Sequence, residues 1–157
     1  MIRFSTTATA VSLALALAAG GAAAQSTKSV AGSYSPVSVP VFGEKPRGMM
    51  MLTADGRYSI VLTGASLPKI AAGARTKGTA DENKAVVNGS IAHWGKYTID
   101  DGGKSITFNI EGSTFANWDG TSSKRTLKVK GDTLAYTVTA PSDGTGKPGD
   151  VVWKRNK

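Results

Sequence analysis

The chain has 157 residues, no Cys, a single His, and 19 Lys and Arg against 11 Asp and Glu, a net charge of +8. That length holds one domain with a core of its own. The missing Cys excludes disulfides, thiol catalysis and Cys-based metal sites, and a lone His among dispersed carboxylates offers no metal-ligand cluster, so neither metal nor cofactor is expected.

Residues 1–24 read as a signal peptide. Arg3 supplies a positive n-region, Ala8 to Ala19 an apolar run of h-region length, and Ala22-Ala23-Ala24 the small side chains that a signal peptidase reads. The run is too short to span a bilayer, and no later segment approaches that length, so no transmembrane segment is expected. No Cys near the cut offers a lipid anchor. The remaining domain, residues 25–157, would be periplasmic or secreted. Removing Arg3 lowers its net charge to +7, with basic residues spread along the chain. That distribution argues against nucleic acid and suits weak attraction to an anionic envelope surface.

Period-two alternation dominates the chain after Gln25, the mark of half-buried strands. Ala31 to Phe42, with Pro36 and Pro40, predicts an irregular first strand. Gly48 to Thr53 comes next; alternation sets Met50 on the face opposite Met49 and Met51, and Met is an adaptable core filler. Asp55-Gly56, at two-residue hairpin spacing, leads into Arg57 to Thr63 with Tyr58, Ile60 and Leu62 on one face.

Gly64 to Gly89 is too long for a plain hairpin loop. Ser66 to Arg75 reads as a lid-like loop or a short helical turn. Thr79 to Glu82 fits a capping box, with Asp81 and Glu82 where a helix dipole favours negative charge. The spacing of Ala80, Val87 and Ile91 predicts a helix from about Ala80 to His93, able to cap one end of a barrel. Gly89 weakens it by about 1 kcal/mol relative to Ala.

Strands resume at Lys96 to Asp100, with Tyr97 and Ile99 on one face, and at Ser105 to Glu111, with Ile106, Phe108 and Ile110. In Lys124 to Lys130, Arg125, Leu127 and Val129 share a face; in Leu134 to Thr139 it is Leu134, Tyr136 and Val138. Val151 to Arg155, around Trp153, is a short closing strand. Asp101-Gly102-Gly103 and Gly131-Asp132 supply the turns. Eight short strands with tight turns point to a sandwich or a barrel.

Several stretches together resemble the bacterial and fungal lipocalin-like domain family. Ala31-Gly32-Ser33-Tyr34 is close to the Gly-x-Trp opening of lipocalins, with Tyr in place of Trp. Val41 to Gly48 and Leu52 to Ser59 continue the likeness, as do Ala92 to Tyr97 and Glu111 to Gly120. The resemblance implies an all-β fold: an eight-stranded antiparallel up-and-down barrel with one short helix between strands three and four. It implies no single activity, because the family has none assigned. Members often carry His on the strand occupied here by Phe108 and Asn109. In lipocalins an Arg often packs across the opening aromatic, so the resemblance also implies that Arg125 closes one end of the barrel over Tyr34. The other reading of Arg125 is recognition of an anionic head group.

An eight-stranded barrel has room inside for side chains or one small ligand. The inward candidates for ligand contact are Tyr58, Ile60, Tyr97, Phe108, Arg125, Leu127 and Tyr136, joined by Trp118 from the loop after the fifth strand. Tyr58, Tyr97, Tyr136 and Arg125 would orient a small apolar or amphipathic molecule. The same residues would also serve a barrel filled solid. No catalytic residue is assigned: His93 has no nucleophile beside it, and Gly144-Thr145-Gly146-Lys147 lacks the spacing of a phosphate-binding loop. The expected function is therefore binding of a small hydrophobic ligand. Its rivals are a cofactor-free isomerase or cyclase using a Tyr or His93, and a solid-barrel envelope or inhibitor protein.

Overall fold

Alternation at period two runs through eight segments, and their apolar faces turn onto one axis. The computed structural model describes residues 25–100 and 102–157; the expected signal peptide lies outside the described residues. The strands are β1 (Gly32–Ser38), β2 (Arg47–Leu52), β3 (Arg57–Thr63), β4 (Ser90–Ile99), β5 (Ser105–Ser113), β6 (Ser122–Lys130), β7 (Thr133–Val138) and β8 (Gly149–Arg155). Each pairs antiparallel with the next, and β8 pairs back onto β1 with Tyr34 opposite Arg155, which closes the barrel and removes every sheet edge.

The core follows from the side-chain period. Met50, Tyr58, Ile60, Tyr97, Phe108, Leu127, Leu134, Tyr136 and Trp153 are all buried inside. Met49 and Met51 face out, as the alternation around Met50 requires. Among the described residues, no helix is long and apolar enough to cross a membrane.

One end of the barrel is shut by helix α1 (Thr27–Val30). Tyr34 Oη donates to the Val30 carbonyl at 2.6 Å, and Tyr97 Oη lies 2.7 Å from the Thr53 carbonyl and 3.1 Å from that of Thr27. Arg155 stands 4.9 Å over the Tyr34 ring and donates to the carbonyls of Ala31 and Ser29. The Arg that packs across the opening aromatic is therefore Arg155, not Arg125. The β1–β8 register sets Arg155 directly opposite Tyr34, whereas Arg125 lies on β6 across the barrel.

The helix between β3 and β4, α2 (Ala80–Asn88), is shorter than its spacing predicts. Its capping box forms as read: Glu82 N–H donates to Thr79 Oγ1 at 3.2 Å, and Thr79 N–H to the Glu82 carboxylate at 2.7 Å. At Gly89 the chain donates its N–H to the Ala85 carbonyl and leaves the helix. Strand β4 begins at once at Ser90, which moves Ile91 and His93 out of the expected helix and into one strand with Tyr97. Segment 66–75 is irregular and runs into a 3₁₀ turn at Arg75–Lys77.

The hairpin between β2 and β3 is also wider than its two-residue spacing implies. Thr53 and Arg57 form the last rung, with Thr53 N–H donating to the Arg57 carbonyl at 2.8 Å. Three residues span the turn, and Gly56 takes the left-handed position at φ 87°.

Candidate functional site

The end opposite α1 carries the long connections. A 3₁₀ turn at Pro40–Phe42, the helix α2, a second 3₁₀ turn at Ala116–Trp118 and the 139–148 loop ring its mouth. Within that ring lies a chamber of about 60 Å³. Its walls are mainly apolar: Val39, Phe42, Leu62, Ile91, Trp118, Val138 and Val151, with His93, Arg125 and Tyr136 as the polar groups on the inner side and Lys147 and Ser142 from the loop. A broader cleft of about 640 Å³ lies beside it under α2, lined by Val86, Val87, Thr114, Phe115 and Asp143 among others. Val41, Phe42, Ile91 and Ser142 line both, where the two adjoin.

Strand register explains how the polar groups meet. His93 faces inward from β4 opposite Ile60 of β3, and just beyond it the register of β4 slips, with Trp94 opposite Gly112 but Gly95 opposite Ile110. Glu111 is the extra residue of this bulge, the kind of irregularity that re-aims neighbouring side chains. Gly95 makes the slip possible: a Cβ there would lie 2.1 Å from the Asn109 carbonyl oxygen of β5. Arg125 faces inward from β6 opposite Ile106.

These side chains form one aromatic and polar cluster. The Tyr58 hydroxyl and His93 Nδ1 share a 2.9 Å hydrogen bond. Tyr58 packs edge-on to Phe108 at 4.7 Å, and His93 edge-on to Trp118 at 5.4 Å. The Arg125 guanidinium stands 5.1 Å from the Phe108 ring and 4.9 Å from that of Tyr136. It is only 7% exposed. Its Nε donates to Ser123 Oγ at 3.1 Å, and no carboxylate among the described residues pairs with it.

Burial sets the protonation states. Desolvation, helped by the nearby Arg125 charge, pushes His93 down to about 3, so its imidazole is neutral at physiological pH. Burial also raises the Tyr58 and Tyr136 hydroxyls, against the opposing pull of Arg125, so both keep their protons. The one fixed charge on the inner side of the chamber is therefore the Arg125 cation.

The eight residues read from sequence as ligand contacts fall into three groups. Arg125, Tyr136 and Trp118 line the chamber. Tyr58 and Phe108 lie directly behind it, touching His93 and Arg125. Ile60, Leu127 and Tyr97 are core residues away from the chamber walls, and Tyr97 holds the closed end. Inward alternation is common to all of them, whereas depth along the barrel axis depends on strand tilt. Ile91 and His93 are the chamber residues that helix periodicity hid; their alternation with Tyr97 was the signal for them.

A family model described as lipocalin-like domain matches residues 27–156. The chain belongs to the lipocalin-like domain family. The match takes in all eight strands, α2 and the residues of both chambers. No curated protein and no solved structure matches this lipocalin-like chain.

Proposed function

We propose that this lipocalin-like protein binds a small apolar or amphipathic molecule at the open end of its barrel. The observation that carries the reading is the chamber of about 60 Å³, walled by aliphatic and aromatic side chains around a few convergent polar groups, next to a cleft of about 640 Å³. Ligand sites in general combine apolar walls with a small number of placed polar atoms. Acid–base catalysis on a hydrophobic substrate is less well supported. A general base works best with a pKa near the operating pH, and His93, pushed down to about 3, is a weak one.

Residues 1–24 act in this reading as a cleaved export signal, supported by their n-region, h-region and small-residue order. The domain then works in the periplasm or outside the cell, where its positive charge favours anionic envelope surfaces. Mass measurement of protein recovered from the periplasm or medium tests this, with an N-terminus at Gln25 as the expected result.

Binding is tested with the uncharged fluorophore N-phenyl-1-naphthylamine and the intact domain. Saturable fluorescence enhancement is expected, weakened at least tenfold by Ile91→Trp, which places a bulky ring where chamber and cleft adjoin. Absence of saturable binding, or equal binding by the Ile91→Trp protein with an unchanged circular dichroism spectrum, refutes the assignment.

A further inference from the structure

The most unusual group in the barrel is Arg125. A charged side chain withdrawn from water is costly unless a countercharge and hydrogen bonds compensate it. Arg125 is 7% exposed and has two aromatic rings and the Ser123 hydroxyl for company, but no carboxylate partner among the described residues. The chamber it lines contains no acidic residue, and the second charged side chain in its wall, Lys147, is also cationic. His93, the other ionisable neighbour, is neutral and adds no negative charge. Every fixed charge at this chamber therefore has the same sign, and that sign selects an anion.

Size and shape narrow the anion further. A water-sized group needs about 10–15 Å³ of such space. The chamber of about 60 Å³ therefore takes a head group and a few further atoms, not a whole amphiphile. The neighbouring cleft of about 640 Å³ has the volume for a chain, and its lining includes Val87, which is 73% exposed on α2, and the half-buried Phe115. A planar guanidinium matches a planar carboxylate through two parallel hydrogen bonds. Of the two cations, Lys147 is exposed on the loop and Arg125 alone is buried, so one desolvated positive charge flanked by neutral Tyr and His meets the head group, which matches a monoanion.

We propose that the ligand is a monocarboxylate with an apolar chain, bound head first: the carboxylate pairs with Arg125 in the inner chamber, and the chain runs out past Ile91 and Phe42 into the cleft beneath α2. This rests on the open end being a ligand site, and it adds the charge, the head group and the direction of binding.

Calorimetric titration of the intact domain with sodium decanoate and with 1-decanol separates the two claims. Decanoate is expected to bind at least tenfold more tightly than decanol, and Arg125→Met is expected to bring the ratio of the two affinities to within about threefold of unity. Quenching of the inner tryptophans gives the direction: 2-bromodecanoate is expected to quench more strongly than 10-bromodecanoate, because its bromine sits beside Trp118. Equal binding of decanoate and decanol by the native protein overturns the carboxylate assignment and leaves the ligand site standing. Stronger quenching by the 10-bromo acid overturns the head-first direction. Failure of decanoate, decanol and the naphthylamine alike removes both the inference and the reading beneath it. The native-protein comparison decides the matter even if Arg125→Met fails to fold.

Discussion

The Tyr58 hydroxyl meets His93 Nδ1 at 2.9 Å inside a barrel where neither group reaches bulk water. This bond joins two neighbouring strands at the inner edge of the chamber and holds the imidazole edge-on to Trp118. It also makes stability depend on pH in a defined window. The unfolded imidazole titrates at its usual 6.5, whereas the folded one stays neutral down to about 3. Between those values the unfolded chain binds a proton that the folded chain refuses, so stability falls as pH drops below 6.5 and is unaffected by this group above it.

His93 is the only histidine in the chain, so the upper part of that window belongs to it. Going from pH 7 to pH 5 is expected to reduce unfolding free energy by about 2 kcal/mol, the linkage value for one suppressed proton. In His93→Gln the loss is expected to be a small fraction of that. Urea unfolding of both proteins at the two pH values measures the difference, and parallel losses would falsify the burial account.

Arg125 without a ligand is expected to cost stability. Replacing an uncompensated buried charge with an apolar side chain of similar length removes the desolvation penalty, and only the ring contacts and the hydrogen bonding to Ser123 and Tyr136 oppose the gain. Arg125→Met is therefore expected to be more stable than the native domain by about 1–2 kcal/mol. Thermal unfolding of ligand-free protein checks it. A lower midpoint for the Met variant would show that the cation is already compensated within the fold.

At the opposite end the same residue type has the opposite effect. Arg155 packs over Tyr34 and donates to two carbonyls of the α1 segment. Arg155→Ala is expected to destabilise by about 2–3 kcal/mol through the lost charged hydrogen bonds and stacking. Tyr34→Phe, which leaves the Val30 carbonyl without its 2.6 Å partner, is expected to cost about 1–2 kcal/mol. Amide hydrogen exchange in residues 27–31 is the more specific readout, since both substitutions release α1 before they open the barrel.

Gly95 sits where the facing strand leaves no room for a side chain. A Cβ added there meets the Asn109 carbonyl oxygen at 2.1 Å and the Glu111 amide nitrogen at 2.8 Å, both backbone atoms of β5. Gly95→Ala must therefore spread β4 from β5 next to His93, and a loss of about 3 kcal/mol or more is expected, as for other overpacked interiors. The same substitution is expected to weaken naphthylamine binding beyond what the stability loss explains. Unchanged unfolding and unchanged binding would mean that the two strands are not in contact at this bulge.

Much of this fold was legible from side-chain order. Arg57 to Thr63 alternates so regularly that β3 has the boundaries read from it, and the apolar faces of β5, β6 and β7 are those of their sequence pattern, with Ser105 at the start of β5 buried against it. The capping box at Thr79 and Glu82 marked the start of α2, because a cap is made within four residues. The end of α2 was not legible in the same way. Val87 and Ile91 satisfy a helical period, while Ile91, His93 and Tyr97 satisfy a strand period. Pairing with β3 and β5 settles that conflict in favour of β4 from Ser90.

The candidate site divides along the same line. The inward orientation of Tyr58, Phe108, Arg125 and Tyr136 came from local alternation, which each strand carries by itself. Which Arg faces Tyr34, how deep Tyr97 lies, and that Arg125 comes to rest beside His93 and Tyr136 were decided by barrel closure. Closure fixes stagger and tilt among strands far apart in the chain, and those quantities are a property of all eight strands together. A side chain's face is thus a local fact of period two, but its height in the barrel and its neighbours across the axis exist only once β8 has paired with β1.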